Sequence, residues 1–157
     1  MELLSCFNLA FLGLLIASVG AGWCPRGWDL HQGSCYGFFK DKMTWAEAEL
    51  DCQIQGHNGH LASITSRAEA AVVARQIKAS QQGCVHVWIG LYDPSKSRRW
   101  RWTDQTLPTY KSWMPGEPNN NQQSGEYCTE LWCHSEYLNW NDERCSSLRP
   151  YICRFEV

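Results

Sequence analysis

Five oxygen-bearing side chains gather late in the chain. Glu117 and Asn119 flank Pro118, Glu126 stands two residues before Cys128, and Asn141 and Asp142 follow Trp140 ahead of Cys145. Three carboxylates and two amides, with no soft ligand among them, form a hard-cation set. Calcium takes about six to eight oxygens from carboxylates, amide and backbone carbonyls, and water. The same stretch is rich in Gly, Pro, Asn and Gln, which also build turns, so a plain polar surface loop is the competing reading.

Other chemistries find less support. The chain has Ser, His and acidic residues but no nucleophile elbow, zinc-protease helix or phosphate loop, and nothing in it points to an enzyme. His57-Asn58-Gly59-His60 has two histidines close enough to raise zinc, yet Asn58 and Gly59 mark a turn and no further ligands stand nearby. Arg99-Trp100-Arg101-Trp102 interleaves cations with aromatics, as some nucleic-acid binders do. On a strand the same alternation sends both Trp residues to the core and both Arg residues to water, and that reading is preferred. With 14 basic and 16 acidic residues the formal charge is −2, so no polyanionic partner such as nucleic acid is indicated.

Residues Leu9 to Ala17 form an apolar run followed by Ser18, Gly20, Ala21 and Gly22, the layout of a secretory leader over 1–22 with a domain over 23–157. A retained anchor is the alternative, but the run falls short of the roughly 20 apolar residues that a membrane span needs. Leader removal takes Cys6 with it. Of nine cysteines eight then remain, an even number that an oxidising, extracellular setting turns into four disulfides.

The elements that must position the five side chains follow from local pattern. Cys24 and Cys35 would close a small terminal hairpin. Thr44-Trp45-Ala46-Glu47 is a capping box opening a helix to about Gln55, with Trp45, Ala48 and Cys52 facing inward. Ser66-Arg67-Ala68-Glu69 is a second box, opening a helix to about Gln81 that carries Val72, Val73, Gln76 and Ile77. From Cys84 the period changes: Val85, Val87, Ile89 and Leu91 alternate along a strand buried on both faces. Tyr127–Trp132, Leu138–Trp140 and Tyr151–Phe155 supply further strands, an α+β order. Thr103 to Tyr127 has no regular pattern, and a loop of that length in a compact domain is usually functional.

Together these residues resemble a C-type lectin-like domain of the long form, covering Cys24 to Val157, and the plan is similar to Reg-type and venom-type lectins. The resemblance rests on the Cys24 and Cys35 pair, the core motif Trp88-Ile89-Gly90-Leu91, Glu117-Pro118-Asn119, Trp140-Asn141-Asp142 and the terminal Cys153. It implies two helices, short antiparallel sheets, a long ligand loop, and disulfides Cys52–Cys153 and Cys128–Cys145. It also implies a calcium ion held by Glu117, Asn119, Glu126, Asn141 and Asp142, with Pro118 in the cis form. Two vicinal sugar hydroxyls would reach that ion, one meeting Glu117 and Asn119, the other Glu126 and Asn141. The order acid then amide implies mannose-type glycans with equatorial 3- and 4-hydroxyls, as in mannose and N-acetylglucosamine, or, by equivalent geometry, fucose. An auxiliary calcium site is not expected, since Asp93 is present but Ser97, Asn120 and Tyr127 stand where the family often has acids.

Cys84 and Cys133 lie outside the family pattern. They flank strands expected to run antiparallel, so an intrachain bridge is expected; an interchain bridge giving a covalent dimer is the alternative. Single-site sugar contacts are weak and useful avidity needs clustering, so a homo-oligomer stays open. The rival function is a structural or protein-binding domain on the same scaffold, associated with matrix or mineral.

Overall fold

A computed structural model describes residues 22–121 and 123–157, so the expected leader lies outside the described residues except for Gly22. The first hairpin joins β1 (Asp29–His31) to β2 (Ser34–Met43). Its two-residue turn, Gln32-Gly33, has positive φ at both positions (46° and 75°), the twist that matches flanking strands and that glycine adopts without strain. The Cys24–Cys35 disulfide pins the preceding segment to β2.

Helix α1 (Trp45–Gln53) starts where the capping box places it. Glu47 N–H donates to Thr44 Oγ1 at 3.4 Å, and Thr44 N–H donates to Glu47 Oε2 at 2.9 Å. Its buried face carries Trp45, Ala48 and Cys52, and Cys52 bonds Cys153 in the last strand. After β3 (His60–Leu61) comes α2 (Arg67–Ser80), which buries Val72, Val73, Gln76 and Ile77. Its second capping box is only half made. Ser66 Oγ accepts from Glu69 N–H at 3.1 Å, but the Glu69 carboxylate reaches one residue further back, to the N–H and hydroxyl of Thr65.

The second half is strand-rich: β4 (Val87–Tyr92), β5 (Arg101–Trp102), β6 (Cys128–Leu131), a 3-10 turn (Cys133–Ser135), β7 (Trp140–Glu143) and β8 (Arg149–Glu156). They join one sheet in the order β1-β2-β8-β4-β6-β7, with β3 on β8 and β5 on β4. β8 pairs along β2 from Ser34↔Glu156 to Met43↔Arg149 and so brings the two ends of the domain together. The expected strand over Leu138–Trp140 begins only at Trp140 and continues to Glu143, which places Asn141 and Asp142 inside a strand. Of the Arg-Trp repeat, Trp102 is buried and Arg101 exposed, whereas Trp100 stays half-buried at the edge.

Two apolar clusters flank the sheet. One sits under α2 and includes Tyr36, Val73, Ile77, Ile89, Trp102 and Trp140; the other sits under α1 and includes Trp45, Trp88 and Tyr151. Burying a large side chain contributes about 1.5–3 kcal/mol. The Trp88-Ile89-Gly90-Leu91 strand locks both clusters together. Trp45 Nε1 donates to Ile89 O at 2.8 Å and Trp88 Nε1 to Met43 O at 3.0 Å. Gly90 is required by close approach, since a Cβ there would lie 2.5 Å from Leu61 O. Among the described residues no helix is long and apolar enough to cross a membrane.

Candidate metal and saccharide site

The long loop before β6 is irregular but tightly laced to the edge of β7. Trp140 N–H donates to Ser112 O at 2.8 Å, Met114 N–H to Trp140 O at 2.9 Å, and Glu117 N–H to Met114 O at 2.9 Å. These three bonds carry Glu117 from a distant loop to a place beside Asp142. The Glu117–Pro118 bond is cis. X–Pro is the linkage at which cis is accessible.

Around that point the backbone folds onto carboxylates. Asp142 Oδ1 accepts from Asn119 N–H at 3.1 Å and Oδ2 from Asn120 N–H at 2.8 Å. Glu117 Oε2 accepts from Asn119 N–H at 3.0 Å, and Glu117 Oε1 from Asn119 Nδ2 at 2.8 Å. Glu126 Oε2 accepts from Asn121 N–H at 2.7 Å, while Glu126 N–H donates to Asn120 Oδ1 at 2.7 Å. Asp142 is fully buried and Glu126 nearly so. Glu117 and Asp142 form no ion pair with Lys, Arg or His among the described residues.

The electrostatic consequence falls on Glu117. Burial, then the hydrogen bond and negative charge of Asp142, with Glu126 adding to it, push its carboxyl up to about 7. Packed acids relieve repulsion by holding a proton or a cation. A divalent cation relieves it more fully, because ionised carboxylates are its ligands. The donor set therefore fits calcium.

The fifth predicted ligand is placed differently. Along β7 successive side chains alternate, so Trp140 and Asp142 take the buried face while Asn141 and Glu143 take the other. Asn141 Nδ2 donates to Glu130 Oε1 at 3.0 Å. Glu130 is fully buried in β6, and its Oε2 accepts from Arg149 Nε at 2.7 Å; Arg149 also pairs with Glu143 at 3.1 Å. Burial pushes the Glu130 carboxyl up to about 7 against the opposing pull of Arg149 and Asn141. The structure thus brings Glu117, Asn119 and Asp142 into direct contact and links Glu126 to them through the 120–121 backbone. Asn141's amide, expected to face a sugar hydroxyl with Glu126, is held by Glu130 instead. Glu130 and Arg149 escaped the sequence reading. The one available signal was an acid in the otherwise uncharged strand Cys128–Leu131.

The neighbouring ground is already used by the protein. Asp93 caps a turn, accepting from Ser97 N–H at 3.2 Å and Arg98 N–H at 2.7 Å, and the Lys96 ammonium sits 5.2 Å over the Tyr127 ring. His60 Nδ1 lies 2.6 Å from Glu49 Oε1. Cys84, Cys133 and His134 also cluster, but the two sulfurs form a disulfide and offer no thiolate. That bridge lies within the chain, and the fourth joins Cys128 at the start of β6 to Cys145 in the turn after β7.

This fold, with its long loop laced against β7, is that of a carbohydrate-recognition domain. The family profile of the lectin C-type domain matches residues 41–155, and the chain belongs to the C-type lectin family, a family of binding proteins and not of enzymes. It is 43% identical over 152 residues to a C-type lectin of Cerberus rynchops, covering 96% of each chain. A C-type lectin mannose-binding isoform of Oxyuranus scutellatus is 40% identical over 153 residues, with 94% of this chain and 96% of that one covered. The structure of human lithostathine superposes with a TM-score of 0.81 at 37% identity, over 86% of this chain and 92% of that one.

Proposed function

We propose that residues 23–157 form a secreted, calcium-dependent lectin of mannose type, released from a leader over 1–22. The observation that carries this reading is the convergence of Glu117, Asn119 and Asp142 at the cis Glu117–Pro118 bond, with Glu117 raised by its acidic neighbours. Glu117, Asn119, Glu126 and Asp142 would hold the ion, with Asn141 joining them on leaving Glu130. When bound, calcium supplies a Lewis-acidic centre that two vicinal sugar hydroxyls can coordinate.

The chain's own residues then select the sugar. The Glu117 carboxylate accepts a hydrogen bond from one hydroxyl and Asn119 Nδ2 donates to the same oxygen, exchanging for the sugar the 2.8 Å bond by which it donates to Glu117 Oε1. Glu126 and Asn141 repeat the arrangement on the second hydroxyl. The acid-then-amide order of Glu117 and Asn119 supports equatorial 3- and 4-hydroxyls, and the mannose-binding isoform of Oxyuranus scutellatus, at 40% identity, lends support. Since Asp93 and Lys96 are committed to a turn and to Tyr127, one ion per domain is proposed.

The Asn141–Glu130 bond favours a second reading, a protein-binding or structural domain in which the sugar pair at Glu126 is never completed. A glycan array run with calcium and again with chelator separates the two. Chelator-sensitive retention on mannose, N-acetylglucosamine or fucose supports the lectin; silence on all glycans with calcium present rejects it.

A further inference from the structure

Beside the carboxylate site lies a groove of about 420 Å³, within the roughly 300–1,000 Å³ range of ligand pockets. Pro118 is part of its wall, so the groove borders the loop that carries Glu117 and Asn119. Its aromatic lining includes Trp100, Tyr110 and Trp113, with Trp140 behind them. Trp100 and Trp113 meet edge to face at 4.9 Å, and Trp113 meets Trp140 at 5.7 Å. Arg98, Arg99 and Lys111 also line it, and among the described residues no carboxylate does.

Aromatic walls offer flat apolar faces, and a cationic rim without acids wants an anion. Resting on the calcium-lectin reading, we propose that this groove is a second sugar subsite, for a hexose bearing a sulfate or carboxylate joined to the sugar held at Glu117. The ring stacks on Trp100 and Trp113, and the oxyanion pairs with Arg99 and Lys111. The protein then selects acidic glycans over neutral ones of the same terminal sugar.

The indole N–H signals of Trp100, Trp113 and Trp140 report the subsite directly by NMR, without calcium or mannose. Methyl glucoside 6-sulfate, methyl glucuronide and neutral methyl glucoside are titrated in turn, and the two charged arms distinguish sulfate from carboxylate. Saturable shifts with either charged glycoside, weakening with added salt and absent with methyl glucoside, are expected. Unmoved signals with both, or equal shifts with the neutral glycoside, overturn the proposal. Separately, with calcium, a mannose-terminated disaccharide sulfated on its second residue should bind roughly tenfold tighter than its unsulfated parent. Arg99→Gln with Lys111→Gln, both on exposed side chains, should erase that factor and leave methyl mannoside binding unchanged. Failure of the calcium reading alone removes mannose binding but leaves the NMR shifts; failure of the subsite alone does the reverse.

Discussion

Asn141 stands directly across from Glu130 in the β6–β7 ladder, and its amide donates to the Glu130 carboxylate at 3.0 Å. A proposed calcium ligand is thereby tied to a buried acid that Arg149 also grips. The sheet and the site share one side chain, and its partner decides whether the fifth ligand is available.

Removing that partner has a price in stability. Glu130→Ala leaves Arg149 without its closest anion, and breaking a largely buried pair costs about 3 kcal/mol. Urea unfolding without calcium should show a loss of that order, while Arg149→Ala should do comparable damage by stranding Glu130. Unchanged midpoints for both would mean the pair is not stabilising.

Calcium affinity should fall as pH falls through about 7. Burial and the Asp142 charge raise Glu117, so below that pH its carboxyl holds a proton that calcium must displace. Above it the acid is ionised and no proton is released. Titration calorimetry at pH 6 and pH 8, in buffers of differing ionisation enthalpy, should detect proton release only at the lower pH.

The same crowding has a stability signature in calcium-free protein. The folded Glu117 carboxyl titrates near 7, above its ordinary value of 4.5, so between these limits the folded state binds more protons than the unfolded one. Glu117's contribution is therefore fully present below 4.5 and lost as pH rises through 7. His86 has the opposite sign. Burial, then the positive charges of Arg149 and His134, lower it to about 4, so its contribution is lost as pH falls from 6.5 to 4. Half-burial limits that loss to about 1–2 kcal/mol. Melting curves of His86→Gln should lack this acid-side component.

Glu117→Gln with Asn119→Asp exchanges acceptor for donor on one hydroxyl. Mannose binding should weaken by roughly tenfold or more and galactose should gain relative to it. An unchanged sugar ranking on a glycan array would contradict the assignment of this pair.

The Cys84–Cys133 disulfide closes a span of 49 residues between the start of the β4 segment and the turn after β6. The chain-entropy account gives about 4 kcal/mol for a loop of this size. Cys84→Ser with Cys133→Ser should lower stability by that order, and the wild-type band on non-reducing electrophoresis should run as a monomer.

Read alone, the sequence determined the gathering of acids and amides around Pro118, the helix starts and the α+β order, because each is written in adjacent residues: Glu117 and Asn119 beside Pro118, Thr44 three before Glu47, alternation through Val87, Ile89 and Leu91. It also carried the family, through the spacing of Trp88-Ile89-Gly90-Leu91 and the terminal cysteines. Tertiary structure alone decided that β7 runs on past Trp140, and hence that Asn141 and Asp142 part to opposite faces. It alone set Glu130 opposite Asn141, moved the Glu69 carboxylate from Ser66 to Thr65, and left a cationic aromatic groove against Pro118. Strand limits and register depend on bonds between residues far apart in the chain, such as Trp140 to Ser112 and Arg149 to Glu130, and no local pattern encodes them.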